Sequence, residues 1–325
     1  MKTYRLKLKP QSSFLTPWQA DTIFGSLCWI MAWRKGADAL AKFLDEYKND
    51  NPPFVLSDGM PGDLLPAPAY LSLIVKTNDY QKAKSLKKTA WLKPDEFEIL
   101  REGHFDLDRH ESIKPFKPFT TLHSSINRLT GTTGDEGSLF ELEEQAFDTE
   151  DAKANYLSVY LKIRAGYEDT IMSLFRDLSL SGYGAKKSAG KGSFEIIDGL
   201  EPFDTFDGLG NANGFVSLSN FVPSKHDPTE GFYRTIVKYG KLGGEYTFSG
   251  NPFKKPLVML CAGSSFYTQG QVRPYYGRMI ESIAPSKPEV VQYGYAFAVP
   301  VAIDLGSAGG DMINEFTDKS SIRGF

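Results

Sequence analysis

The chain has 325 residues, 24% charged and 41% hydrophobic, with a formal net charge of −3. Its composition is that of a soluble globular protein with room for two domains. The near-neutral balance excludes a surface coated in nucleic acid, so local patches must carry any RNA contact.

No run of eighteen apolar residues exists, so no membrane partner is expected. The N-terminus alternates apolar and basic residues and lacks the apolar core of a signal peptide. Cys28 and Cys261 belong to no CxxC, and His104, His110, His123 and His226 have no metal-ligand spacing. A reduced, cytoplasmic protein without zinc, other metal or cofactor is expected.

Along the chain, Tyr4, Leu6 and Leu8 alternate with basic residues and predict a half-buried opening strand. Thr16-Pro17-Trp18-Gln19 has capping-box spacing, which predicts a helix with Thr16 as N-cap and Pro17 at its first position. Ala20, Ile23, Phe24, Leu27, Ile30 and Met31 then form its apolar face, with Asp21 and Gly25 on another. Proline-rich connections follow around 52–53 and 61–68, then a lysine-rich helix from about Asp79 to Ala90. That helix and Lys93 make a basic stretch, and Glu141–Asp151 an acidic one; solvated faces are the usual use of such runs.

Between Gly103 and Asp151 the periodicity breaks down. So long an irregular stretch is usually functional or loose. It reads as a protruding insertion, a hairpin turning at 132–137. Tyr156–Arg164 alternates as a strand, and Glu168–Ser181 places Ile171, Leu174, Phe175 and Leu178 at helical spacing. A strand at 193–198 completes a βαββαβ order, the ferredoxin-like motif also used by RNA-recognition domains.

The polar glycine-rich stretch 206–214 marks the expected domain boundary. Strands are predicted at 215–222, 256–262 and 290–299. In the last, Val291, Tyr293, Tyr295, Phe297 and Val299 share one face, and Gln292, Gly294, Ala296 and Ala298 the other, small enough for close approach. The tail after Leu305 is polar.

The most informative stretch is Gly182-Tyr-Gly-Ala-Lys-Lys-Ser-Ala-Gly-Lys-Gly-Ser-Phe194. Gly182, Gly184, Gly190 and Gly192 let the backbone turn through positive φ and bring N–H groups against a ligand, while Lys186, Lys187 and Lys191 supply cations around Ser188. A nucleotide-triphosphate loop runs from strand to helix, whereas this one runs from helix to strand. The spacing also fails: five residues separate Gly184 from Gly190, and Gly192 follows Lys191 where Ser or Thr would bind magnesium. A dinucleotide fingerprint fails at Lys187. What remains is a polyanion contact or, as the alternative, a lysine-rich surface turn.

The segment Phe14–Trp29, the pieces Phe54–Asp58 and Leu65–Pro68, the loop Gly182–Phe194 and Gln292–Phe297 together resemble the RAMP superfamily of CRISPR-associated RNA-binding proteins. Within it, subunit four of the type III-A Csm effector complex is the most similar. The resemblance covers nearly the whole chain. It implies two ferredoxin-like domains (1–205 and 206–325), a hairpin thumb insertion at about 104–150, and no catalytic role.

It further implies a subunit that holds the 5′ repeat-derived handle of the guide RNA and joins the large polymerase-like Csm subunit to the backbone Csm subunit. The thumb would cross the duplex of guide and target RNA. The handle-binding loop would be Gly182 to Gly192. Thr16, Gln19 and Asp21, and Gln292 and Tyr293, would lie near the handle-binding cleft, and His123, Asn127 and Arg128 on the thumb.

Backbone N–H groups and lysines suit a single-stranded phosphate chain, and Tyr183 and Phe194 are the nearest rings for base stacking. Phe194, opening a strand, also reads as core. If the three lysines each neutralise one phosphate, log K falls with log salt by about 2 units. The rival reading is a metal-independent CRISPR RNA-processing endoribonuclease using His123 with Lys114, Lys117 or Arg128 nearby, against which stands the want of an evident orienting partner. In a third, the acidic run and the aromatics Trp91, Tyr275 and Tyr276 serve partner surfaces, and the loop touches no RNA.

Overall fold

The opening alternation forms β1 (Lys2–Pro10), in which Leu6 and Leu8 are fully buried. The computed structural model, which describes residues 1–74, 79–133, 139–148, 155–248 and 250–305, is a mixed α/β protein with antiparallel sheets. Next come α1 (Ala20–Lys35), α2 (Ala37–Lys48), β2 (Phe54–Pro61), β3 (Leu65–Pro66), α3 (Leu71–Ile74), α4 (Tyr80–Lys88), β4 (Trp91–Leu92) and α5 (Pro94–Arg101). Then follow β5 (Phe116–Ser124), β6 (Leu139–Phe147), β7 (Leu157–Ile163), α6 (Glu168–Ser181), β8 (Phe194–Ile196) and β9 (Glu201–Pro202). The last strands are β10 (Gly214–Ser217), β11 (Gly231–Phe232), β12 (Thr235–Lys238), β13 (Leu257–Leu260), β14 (Ser265–Tyr267), β15 (Tyr275–Gly277) and β16 (Tyr295–Val301). No helix of the described residues is long and apolar enough to cross a membrane.

Two compact units form, one from Met1–Phe54, Asp58–Gly62 and Lys114–Pro202, the other from Val55–Ser57, Asp63–Ile113 and the residues from Phe203 onward. They are not the contiguous stretches 1–205 and 206–325 expected above. Residues 63–113 belong to the second unit and are hydrogen-bonded to its later segment. Ala69 N–H donates to Gly263 O at 2.8 Å, and the Arg101 side chain to the carbonyls of Pro300 and Thr205 at 3.0 and 2.6 Å.

In the first unit, the sheet runs β2-β7-β1-β8, with β9 also on β1. β1 pairs antiparallel with β7, from Lys2↔Ile163 to Leu8↔Leu157, and with β8 and β9. α1 packs against α2 and α6. The expected faces are buried: Ile23, Phe24, Leu27, Ile30 and Met31 on α1, and Ile171, Leu174, Phe175 and Leu178 on α6.

The stretch expected to be irregular contains a regular ribbon. β5 and β6 pair antiparallel through nine positions, from Phe116↔Phe147 to Ser124↔Leu139. A smaller turn caps β5: Ile126 bridges Thr133, and the Asn127 side chain accepts from Leu129 N–H at 2.9 Å. The turn placed at 132–137 lies outside the described residues beyond Thr133, as do Thr149–Asp151 of the acidic run and the tail after Leu305. Residues 104–113 group with the second unit and the ribbon with the first.

In the second unit, a five-stranded sheet has the order β11-β14-β10-β16-β15. Among the described residues from Phe203 onward only a 3-10 turn (Gly244–Phe248) interrupts strands, so a βαββαβ order is not formed by 206–305 alone. The helices of this unit, α3 to α5, come from its earlier segment. No amphipathic run of period 3.6 occurs beyond 206, which is why strands prevail. The small face of β16 meets rings: Ala296 and Ala298 cluster with Phe215, Phe221, Phe266 and Tyr276. Tyr276, expected at a partner surface, is 3% exposed and stacks on Phe215 with ring centroids 4.0 Å apart.

Candidate nucleic-acid interface

Helix α6 ends at Gly182, whose φ of 74° reverses the chain, and the loop returns on itself at Tyr183 N–H to Gly192 O, 2.8 Å. Two glycines are required by close approach. A Cβ on Gly192 would stand 1.9 Å from Tyr183 O, and one on Gly184 would stand 2.6 Å from Thr16 Cβ and Oγ1.

The segment before α1 braces the loop. Ala185 N–H donates to Thr16 Oγ1 at 3.0 Å, Gly192 N–H to Ser13 O at 2.9 Å, and Ser193 N–H to Ser12 Oγ at 3.0 Å. Thr16 therefore caps the loop and not the helix, which corrects the predicted capping box. α1 starts at Ala20 with Gln19 as N-cap and no cap bond from the Gln19 side chain. Ala20 N–H is taken instead by Asp58 Oδ1 at 2.8 Å, a tertiary cap from β2. Asp21 is buried at the helix entry, and nothing lies within 4 Å of where a Cβ of Gly25 would stand, so that face is not a tight contact.

Tyr183 does not offer its ring to a base. It is 1% exposed, lies parallel to Trp18 with centroids 4.0 Å apart, and donates its hydroxyl to Pro17 O at 2.7 Å. Burial first, and then the charge of Asp21, push its phenol well above the ordinary range. Phe194 is buried against the edge of Trp18. Both rings expected to stack on bases are core.

The three lysines differ. Lys191 Nζ lies 2.6 Å from Glu144 Oε2 and donates to Ser13 Oγ at 3.1 Å. Glu144, on β6, is buried and also accepts from the hydroxyls of Ser13 and Thr121. Burial alone would raise its pKa. The hydrogen bonds from Lys191, Ser13 and Thr121, with the Lys191 charge, prevail and hold the carboxyl at about 2. Lys191 is thus engaged by protein groups of the ribbon and of the segment before α1.

Lys186 is exposed, adopts a left-handed φ of 60°, and carries its ammonium over the Phe140 ring at 5.0 Å. Lys187 is solvent-accessible, but crowding by neighbouring protein desolvates its ammonium enough to lower its pKa. The N–H groups of Lys186, Lys187 and Ser188 donate to no acceptor among the described residues. The geometry therefore presents three backbone donors beside two ammonium groups on a braced turn, chemistry suited to phosphate oxygens.

His123 has orienting partners that the sequence did not reveal. Its Nε2 is 3.0 Å from Thr121 Oγ1 and 3.9 Å from Glu144 Oε1, and its ring stacks on Phe140. Arg128 is exposed in the small turn that Asn127 closes. Gln292 and Tyr293 are buried and bonded within the second unit: Gln292 Oε1 accepts from Lys254 Nζ at 2.7 Å, and the Tyr293 hydroxyl from Leu56 N–H at 2.9 Å. Among the described residues no three His, Cys, Asp or Glu converge as metal ligands.

Ser13, Asp58, Thr121, Phe140 and Glu144 were not singled out from sequence. Glu144 sat in an acidic run, and alternation alone does not say which face of a polar ribbon turns inward.

No protein-family profile matches the sequence, and no curated protein matches it. Solved structures do. A chain of the Csm1–Csm4 cassette in complex with AMPPNP is similar over 94% of this chain and 100% of its own, at 20% identity and a TM-score of 0.63. The cassette in complex with pppApA gives 20% identity and 0.60 over the same shares. A chain of the Csm3–Csm4 subcomplex of the type III-A CRISPR–Cas interference complex is similar over 93% of this chain and 100% of its own, at 15% identity and 0.62. The resemblance to subunit four of the type III-A Csm complex is thus one of fold, and it spans nearly the whole chain.

Proposed function

We propose that this chain is a non-catalytic, RNA-binding subunit of a type III CRISPR effector complex. Its loop Gly182–Gly192 grips the phosphate backbone of the guide RNA's 5′ handle. The observation that carries the reading is the set of N–H groups at Lys186, Lys187 and Ser188 that meet no acceptor among the described residues, beside two exposed lysines, in a chain of this fold.

The first unit supports a ferredoxin-like, RNA-recognition-like domain. β1, β2, β7 and β8 alternate with α1–α2 and α6 in βαββαβ order, and lie in the sheet as β2-β7-β1-β8. The β5–β6 ribbon is the counterpart of a thumb reaching toward the duplex of guide and target RNA. Leu129, in its small turn, is 96% exposed, an apolar side chain suited to insertion or to a partner. The protein partners are a large Csm1-type subunit and a backbone Csm3-type subunit, supported by the assemblies in which this fold has been solved.

The second reading is the RNA-cleaving one, favoured by the oriented imidazole of His123. One experiment separates them: the purified protein is mixed with single-stranded guide RNA carrying the handle, across a salt series, beside a Lys186→Ala/Lys187→Ala variant. The expected result is intact RNA, weaker binding by the variant, and a salt slope shallower by about 1.4, two phosphates' worth for a single strand. Unchanged binding would move the RNA site off this loop. Cleavage abolished by His123→Ala would establish the nuclease.

A further inference from the structure

The glycine-rich loop has two limbs. The outgoing limb is tied by Thr16 to Ala185, and the returning limb by Ser12 and Ser13 to Ser193 and Gly192. Among the described residues the returning limb carries the loop's ion pair, from Lys191 to the ribbon at Glu144. Glu144 is 1% exposed, and its four neighbours, Ser13, Thr121, His123 and Lys191, come from the loop, the ribbon and the segment before α1. A buried carboxylate so surrounded fixes positions more than it adds net stability.

We infer that Glu144 is the positioning residue of the RNA-binding loop: by retaining Lys191 it holds the returning limb in place and sets the N–H groups of Lys186 to Ser188 as a preformed phosphate site. The inference rests on the loop's binding RNA as proposed above. It divides the lysines by task. Lys186 and Lys187 meet phosphate, and Lys191 meets Glu144. It also ties the loop to the ribbon, because β6 carries both Glu144 and Phe140, the ring beneath Lys186.

The division has an unusual sign. Removing a carboxylate near an RNA site ordinarily strengthens binding, because the protein becomes more positive. If Glu144 positions the loop, Glu144→Gln weakens binding although it adds a net positive charge. The expected loss is roughly tenfold, the equivalent of one charge-assisted hydrogen bond. Lys191→Gln weakens binding to a similar extent and leaves the salt slope unchanged. Were Lys191 a phosphate contact, its slope would drop by about 0.7. Lys191→Arg keeps the pair and the affinity, and the Glu144→Gln/Lys191→Gln double variant binds no worse than either single one.

The test measures affinity and salt slope of these variants and the wild type for single-stranded RNA carrying the handle. Hydrogen exchange at the Tyr183 and Gly192 amides is followed in parallel, and thermal unfolding confirms that each variant is folded. Support requires weaker binding at constant slope, rescue by arginine, and faster exchange in Glu144→Gln. Binding by Glu144→Gln equal to or tighter than wild type, or a lowered slope in Lys191→Gln, overturns the positioning role while the RNA reading stands. A wild type that binds no RNA overturns both.

Discussion

Lys191 and Glu144, 47 residues apart, meet at 2.6 Å and so join the glycine-rich loop to the β5–β6 ribbon. The pair has a pH signature. Glu144 titrates at about 2 in the folded chain against 4.5 when unperturbed. Between those values the unfolded chain binds a proton that the folded chain refuses, so acid favours unfolding. Its contribution is complete above about pH 4.5 and lost as pH falls through about 2. The melting temperature of the wild type should therefore fall more steeply than that of Glu144→Gln across this window. Parallel curves would mean that the carboxylate is not held down.

Gly192 and Gly190 share a left-handed φ, of 68° and 77°, but not their surroundings. A Cβ on Gly190 meets nothing within 4 Å, whereas on Gly192 it would strike Tyr183 O. Gly190→Ala is expected to cost only the backbone term, about 1 kcal/mol. Gly192→Ala must open the loop, at about 3 kcal/mol or more. Denaturant unfolding of the two variants tests the ranking, and equal losses would deny the close approach.

The bonds of Thr16 and Asp58 predict a separation of effects. Asp58→Ala removes the acceptor for Ala20 N–H and should fray the first turn of α1 at a cost of about 1 kcal/mol. Thr16→Val removes the acceptor for Ala185 N–H at a similar cost, about 1 kcal/mol, but loosens the loop and leaves the helix whole. Amide exchange resolves the two: faster exchange at Ala20 for the first, at Ala185 for the second. Fraying of α1 in Thr16→Val would restore the capping box.

These contrasts show which features a sequence displays. The faces of α1 and α6 were legible because a 3.6-residue period survives any tertiary arrangement, and the turn at Gly182 because the chain leaves α6 at a positive φ that glycine takes without strain. Thr16 misled because its residue type suits a cap, while a neighbour distant in sequence, Ala185, claimed its oxygen. The insertion reads as a hairpin, but its regular register was not legible, because Pro118 and the polar residues on both strands blur a period of two, although Pro118 pairs Gln145 in register. The ion pair of Lys191 with Glu144 was not legible because charge is visible in sequence and a buried partner distant along the chain is not.

Tyr183 makes the same point for rings and yields a last prediction. Its hydroxyl bond to Pro17 O contributes about 1 kcal/mol, which Tyr183→Phe should lose while keeping the stack on Trp18. Tyr183→Leu loses the stack as well, and is expected to cost roughly 2–3 kcal/mol. Neither variant should change RNA affinity while folded, since the ring is 1% exposed. A base stacked on Tyr183 would instead show as weaker RNA binding in the leucine variant alone, by about 1–3 kcal/mol, with phenylalanine as the intact control. Unfolding curves and RNA titrations on the two variants decide whether this ring serves the core or the ligand.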